Sequence, residues 1–298
     1  MMLKNRQFAV LIGLLGVVFY SSKAIFVKLS YQYGIDTISL LFLRMLFALP
    51  IYLAINLFRK QNKNTSVSSK DWVFIVFLGF IGYYLSSWFD FEGLKHIDAS
   101  LERIILFIYP TIVVFLSKIF LKTKITNRQI WAIMITYLGL IIIFSRKLFL
   151  NLDASEHLIW GSFLIFLCAI SYAIYFTGSG KILPKIGTMS FTIKVMSISS
   201  CIIFTHYLLS KGLSWPYYPW QVYFYSFLMA VIATVLPSFM ISESIRRLGA
   251  DKVSVLASLG PVSTIILAVI FLGETLFLEQ LIGTAVVLLG IYVISKRT

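Results

Sequence analysis

The sequence predicts an all-α membrane protein of ten transmembrane helices, arranged as two inverted five-helix repeats. Three observations predict it. Of 298 residues, 59% are hydrophobic and only 13% charged, whereas a soluble domain carries about a quarter charged residues. The apolar residues gather in ten runs, each near the length of about 20 residues that a helix needs to cross a bilayer. The two halves also match at an offset of 151 residues, as between Pro110 and Pro261. A mean hydropathy of +0.90 excludes a disordered chain, a secreted disulfide scaffold and an ordinary globular enzyme.

The runs follow in order. The first, 8–30, comes after Lys4 and Arg6. It is too long for the apolar region of a cleavable signal peptide and is expected to be the first span. The second covers 37–58, and the third, 72–91, opens on Trp72 after a polar stretch from Arg59 to Asp71. The fourth, 99–121, contains Pro110, and the fifth, 128–145, follows the basic break Lys122 to Arg128. The break from Arg146 to Glu156 leads to the sixth, 159–178, and then the seventh, 188–209. After Ser210 to Pro219 comes the eighth, 221–243, with Pro237 inside it. The ninth, 252–272, holds Pro261, and the tenth is 277–295. Barrel strands would be about ten residues long with alternating polarity. No soluble domain is expected, because every break is short.

The net charge is +14, from 26 Lys and Arg against 12 Asp and Glu. No basic segment lies outside the short loops, so nucleic-acid binding is not expected. With a cytoplasmic N-terminus, sixteen Lys and Arg fall on the inner side, against Lys95, Arg146, Lys147 and Lys211 outside. The positive-inside rule therefore places both termini in the cytoplasm. Cys168 and Cys201 lie in apolar runs and read as small buried hydrophobes. His96, His157 and His206 are scattered, and no metal or cofactor spacing is present.

The internal match spans each half. Thr37 pairs with Thr188, Met45 with Met196, Glu92 with Glu243, Gln129 with Gln280 and Gly139 with Gly290. The repeats are expected at 1–147 and 157–298. Five spans per half would insert the second half upside down, which is a recurrent plan of secondary transporters.

These residues resemble the EamA-type family of the drug/metabolite transporter superfamily. The resemblance rests on Arg246-Arg247-Leu248-Gly249-Ala250, Leu259-Gly260-Pro261 and Leu272-Gly273-Glu274, leading to Gln280, Gly283 and Gly290. In the first half, Ile97-Asp98-Ala99-Ser100 and Tyr109-Pro110 fit. There, Lys122-Thr123 replaces the family's usual Gly-Glu, and Leu101-Glu102-Arg103-Ile104 carries charges where small or apolar residues are usual. The resemblance implies a central cavity lined by the first, third, fourth, sixth, eighth and ninth spans. It also implies export or exchange of small metabolites, amino acids prominent among them.

Ionisable residues inside spans cost at least about 2.5–3.5 kcal/mol each and mark cavities or paired networks. Lys23 and Glu102 are the expected substrate-binding charges, with Ser22 beside Lys23 and aromatic walls from Tyr84, Trp88, Tyr109, Tyr172 and Tyr175. Neighbouring residues on a helix point about 100° apart, so Glu102 is expected to face inward and Arg103 elsewhere. Arg44, Asp90 and Arg103 are expected to form a charge network or a proton-coupling path. Pro110, Pro237 and Pro261 are expected to kink helices that bend during alternating access.

The expected function is a secondary transporter in the bacterial inner membrane, moving an amino acid or related compound through a cavity between the repeats. Organic cations, drugs or nucleoside-like metabolites are the alternative. An intramembrane enzyme would need a nucleophile–base or metal constellation, and none is seen. The inverted repeat argues against a channel. The expected partners are a small-molecule substrate and the lipid bilayer, with a monomer more in keeping than a dimer.

Overall fold

The computed structural model describes residues 2–58, 67–150, 156–215, 217–273 and 277–295. Arg59, Lys60, Lys63, Glu274, Lys296 and Arg297, used in the charge and motif readings, lie outside these residues, and Gln280 is described only in its backbone. We label the helices α1 (Met2–Tyr31), α2 (Thr37–Phe58), α3 (Ser69–His96), α4 (Ala99–Leu106 and Tyr109–Phe120) and α5 (Asn127–Leu150). The second half contributes α6 (Glu156–Ile186), α7 (Thr188–Lys211), α8 (Trp220–Leu248), α9 (Ala250–Leu256 and Leu259–Leu272) and α10 (Leu278–Ser295). Among the described residues there is no strand. Among the described residues seven helices, α1, α2, α3, α6, α7, α8 and the two-part α9, are long and apolar enough to cross a membrane. Tyr109–Phe120 and Leu281–Val293 are shorter apolar helices.

Polar residues set the helix ends. The Asp71 amide donates to the Ser68 hydroxyl at 3.2 Å, capping α3. Thr126 and Gln129 cap α5 reciprocally: the Thr126 amide donates to Gln129 Oε1 at 2.9 Å and the Gln129 amide to Thr126 Oγ1 at 3.3 Å. Single glycines join α6 to α7 and α8 to α9. Gly187 and Gly249 have φ of +77° and +94°, values at which a Cβ would be strained.

The packing interleaves the halves. α1 lies against α8 and α9, while α6 lies against α3 and α4. α2 packs on α7. α5 and α10 run antiparallel, with Gly139 against Gly283 and Val287, and Gly290 against Ala132 and Thr136. The first part of α4 touches the second part of α9, and the second part of α4 touches the first part of α9.

Two irregularities recur at matched places. α3 carries a π turn at Phe80–Leu85, and α8 carries one at Val231–Val235. Each releases a carbonyl from the α-ladder. The Ser86 amide returns to Ile81 O, and the Leu236 amide to Val231 O. In α8 the cause is visible in the sequence, because Pro237 has no N–H and favours the start of a new helical stretch. In α3, Ser86 stands in its place and its hydroxyl donates to Gly82 O. α4 and α9 are each interrupted before their prolines, at Phe107-Ile108 and Ala257-Ser258. The expected kinks at Pro110 and Pro261 are therefore breaks between two short helices.

The outer surface is apolar. Val73, Phe115, Leu138, Ile266, Ile270 and Leu289 are exposed, while Lys23, Asp90, Glu102 and Arg103 are buried. This inverts the usual polarity of a soluble protein and fits a lipid solvent. Cys168 is buried as expected, but Cys201 is exposed, because its position on α7 faces outward rather than into the bundle.

Outside the spans, Asp36 joins the α1–α2 turn to the other half. Its carboxylate accepts from the Ser39 hydroxyl at 2.8 Å and from Tyr218 at 3.1 Å, and lies 3.3 Å from Lys211. Partial burial alone would raise its pKa, but the Ser39 hydrogen bonds and Lys211 outweigh this and hold it below the usual carboxylate range.

Two predictions test this packing. A Cβ on Gly139 would sit 2.8 Å from the Gly283 carbonyl and the Val287 amide, which cannot rotate away. Gly139→Val should lower stability by about 1–3 kcal/mol in detergent unfolding, as overpacking does elsewhere. Leu289→Ala, on the exposed face, is the control and should change little. For Asp36, the depressed native pKa contributes stability at neutral pH that is lost as pH falls below about 4. Asp36→Asn should flatten the acid limb of the melting-temperature profile, and an unchanged limb would reject the interaction.

Candidate functional site

The site begins with two charges that a bilayer-buried helix can carry only if they meet. Lys23 on α1 and Asp90 on α3 are 2% and 0% exposed, and Nζ lies 2.6 Å from Oδ2. The Lys23 ammonium also donates to the Tyr20 hydroxyl at 3.1 Å. It sits 4.5 Å from the centre of the Tyr20 ring and 5.9 Å from that of Phe91, both close enough for cation–π attraction. On α4, Arg103 Nε lies 3.1 Å from Glu102 Oε2, and both residues are buried. The Glu102 and Asp90 carboxylates act on one another electrostatically, so the two ion pairs belong to one charged cluster. Buried charges persist in this form when each has a partner of opposite sign.

Two small cavities flank the cluster. The larger is lined by Tyr20 and Ser21 of α1, Arg103, Tyr109, Tyr172 of α6 and Pro261 of α9, among others. It leaves about 30 Å³ to water centres, room for two or three waters at about 10–15 Å³ each. The smaller, of about 10 Å³, is lined by Tyr20, Arg44, Ser87, Tyr172, Thr234 and Ser238, among others. Tyr20 and Tyr172 border both, stacked with centroids 5.9 Å apart and planes 11° from parallel. Tyr109 meets Tyr172 edge-on at 5.1 Å.

The structure gathers some of the expected residues and separates others. Lys23, Asp90, Glu102 and Arg103 meet in the cluster. Tyr109, Tyr172 and Pro261 line the larger cavity. That cavity is lined by Arg103 and not by Glu102, the reverse of the expected orientation, and Glu102 is fully buried with its carboxylate against Arg103. Ser22 is directed to its own helix, donating to Phe19 O at 2.7 Å, and Ser21 lines the cavity instead. Tyr84 bonds to His206 Nδ1 at 3.1 Å, Trp88 packs edge-on against Phe89, and Tyr175 fills the space left by Gly82. None of these three lines either cavity. Pro110 is buried beside the break in α4 and Pro237 beside the π turn of α8, and neither lines these two cavities. Arg44 lines the smaller cavity, although its helix was not expected to. Ser87 and Ser238 were missed, yet the repeat offset pairs them and could have found them.

A multi-pass helical membrane protein with buried charges beside cavities lined by two matched halves belongs to the class of transporters rather than to soluble folds. Comparison with known proteins gives the family. The chain belongs to the EamA-like transporter family, whose model matches twice, at residues 7–145 and 159–296. It is 30% identical over 274 residues to the uncharacterized transporter YcbK of Bacillus subtilis, covering 91% of this chain and 87% of that one. It is 26% identical to the uncharacterized transporter YyaM of the same organism, over 83% and 81% of the two chains. A solved crystal structure superimposes with a TM-score of 0.77 at 15% identity, covering 96% of this chain and 95% of the other, which shows a shared fold.

The cluster makes a stability prediction. Lys23→Met leaves Asp90 as a buried charge without its cation and should cost about 3–5 kcal/mol, whereas Lys23→Met with Asp90→Leu should recover most of it. Thermal unfolding of the two single variants and the double variant in detergent measures the coupling. Additive losses would show that the pair is not coupled.

Proposed function

We propose that the chain is a secondary transporter of the bacterial inner membrane that moves a small polar or amphipathic metabolite, an amino acid or related compound, by alternating access. In this reading the repeats at 1–147 and 157–298 each contribute five spans of opposite orientation, and both termini are cytoplasmic. The observation that carries the proposal is the charged cluster of Lys23, Asp90, Glu102 and Arg103, buried beside a cavity whose walls come from both halves. Ionisable residues at that depth are costly, and in membrane proteins they mark substrate pathways and proton relays.

The antiparallel packing of the equivalent helices α5 and α10 supports the inverted arrangement, and matched contacts support the repeat. Thr37 donates to Glu92 Oε2 at 2.6 Å, and Lys95 binds the same carboxylate at 2.8 Å. In the second half Thr188 donates to Glu243, which also accepts from Arg246. With the halves inverted, these two latches lie at opposite membrane faces, one closing the outer end and one the inner end. The π turns of α3 and α8 then supply bending points at equivalent depths. Glycine-mediated contact between α5 and α10 supplies a fixed edge. The Tyr20–Tyr172 stack and the small cavity volume suit an occluded intermediate, in which the substrate space is contracted.

Exchange of labelled amino acids by proteoliposomes tests the reading. Lys23→Met and Glu102→Gln should each lower exchange by about tenfold or more, the equivalent of about 1.4 kcal/mol. Lys118→Met, on the exposed side of α4, should leave it within about twofold, a change of only a few tenths of a kcal/mol. Wild-type exchange by both core variants would place the substrate elsewhere.

A further inference from the structure

Around the cluster the bundle buries three cations, Lys23, Arg44 and Arg103, and two carboxylates, Asp90 and Glu102. Lys23 is matched by Asp90 and Arg103 by Glu102. Arg44 is the remaining cation. It is 2% exposed, its Nη2 donates to Ser87 Oγ at 3.1 Å, and its Nε has no hydrogen-bond partner. The Phe91 ring lies 4.9 Å from its Cζ. Among the described residues no carboxylate reaches it at ion-pair distance, and Asp90, the carboxylate that acts on it electrostatically, is already engaged with Lys23. A guanidinium does not give up its proton in a protein, so Arg44 is a buried positive charge without an ion-pair partner of its own among the described residues.

Arg44 borders the smaller cavity, which is otherwise walled by hydroxyls and rings. Ser87 and Thr234 contribute hydroxyls, and Ser238 accepts from or donates to the Tyr52 hydroxyl at 2.8 Å. We propose that this cavity is the subsite for a carboxylate group of the transported molecule, with Arg44 as its counter-charge and Ser87 as a positioning hydroxyl. The proposal rests on the carrier reading above and narrows its substrates to carboxylates. A planar guanidinium with a free Nε–H matches a carboxylate edge. The space of about 10 Å³ takes about one water, so a carboxylate enters only as the cavity widens, and a single cation suits its one negative charge better than the higher charge of a phosphate. The apolar body of the molecule would occupy the larger cavity, lined by Leu106, Tyr109 and Phe176. The Tyr20–Tyr172 stack stands between the two, so its opening joins them.

The test uses the full chain in lipid nanodiscs, read by thermal shift and tryptophan fluorescence. The probes are L-leucine, L-phenylalanine and phenylpyruvate, each beside its amide, with acetate as a fragment and inorganic phosphate as a competing anion. At least one acid and acetate should stabilise the protein, and the amides should not. Arg44→Gln should weaken binding of that acid by at least about thirtyfold, as expected for a buried charge pair. Arg44→Lys and Ser87→Ala should weaken it less. Because a buried arginine supports folding, the acid–amide comparison in the unaltered chain and the Ser87→Ala variant keep the test valid if Arg44→Gln does not fold. The proposal is overturned if amides bind as well as acids, if Arg44→Gln binds the acid unchanged, if only phosphate stabilises, or if no carboxylate probe does. Proteoliposome exchange separates the two readings. Acid binding through Arg44 without exchange would reject the carrier alone, and acid exchange unaffected by Arg44→Gln would reject the subsite alone.

Discussion

The pairing of Lys23 with Asp90 constrains much of what surrounds it. An isolated charge at bilayer depth is expensive, and water is not available there to solvate it. α1 and α3 must therefore present these two side chains to each other, at 2.6 Å, and surround them with further partners. The π turn at Phe80–Leu85 contributes directly. One extra residue in a helical turn rotates everything beyond it by about 100°. Ser87, Asp90 and Phe91 all lie beyond that turn, and all three face the centre of the bundle. The lack of a Cβ at Gly82 lets Tyr175 of α6 close over the turn, where any larger residue would collide with its ring and Cβ.

Fold and chemistry divide differently between the halves. The fold treats them alike: π turns, helix breaks and threonine–glutamate contacts recur at matched positions. The chemistry does not. Arg44, Asp90, Glu102 and Arg103 align with Val195, Ile241, Val253 and Ser254. The first half therefore supplies the charge, while the second supplies Tyr172, Thr234 and Ser238 as aromatic and hydroxyl walls. A duplicated scaffold with one charged face and one neutral face can bind a polar group on one side and an apolar body on the other. The exchange of α1 and α6 between the halves brings these faces together, since each packs mainly on helices of the opposite half.

The comparison between sequence and structure is most informative in α4. Apolar run length predicts a single span over 99–121, yet the chain breaks at Phe107-Ile108 and resumes at Tyr109. Hydropathy averages over such a break, because both short helices are apolar where they meet lipid. The proline two residues later marks the place but not the extent of the interruption. The same helix shows why facing could not be read: Glu102 and Arg103 are adjacent, and only the packing of α4 against the other helices decides which of them lines the cavity. Arg44 is a similar case. Its helix packs on α7 at the side of the bundle, but the length of its side chain carries the guanidinium into the centre.

By itself the sequence determined the solvent, the helical class, the two matched halves and the list of buried charges. These follow from local composition and spacing, which act within a single span or between copies of one. Tertiary structure decided which charges pair, that Arg44 is left over, and which of several tyrosines reach the cavities. Those outcomes depend on helix rotation and on contacts between residues more than a hundred positions apart. The free energy of a buried charge is set by what lies within a few ångströms of it, and no periodicity along one chain segment specifies that neighbourhood.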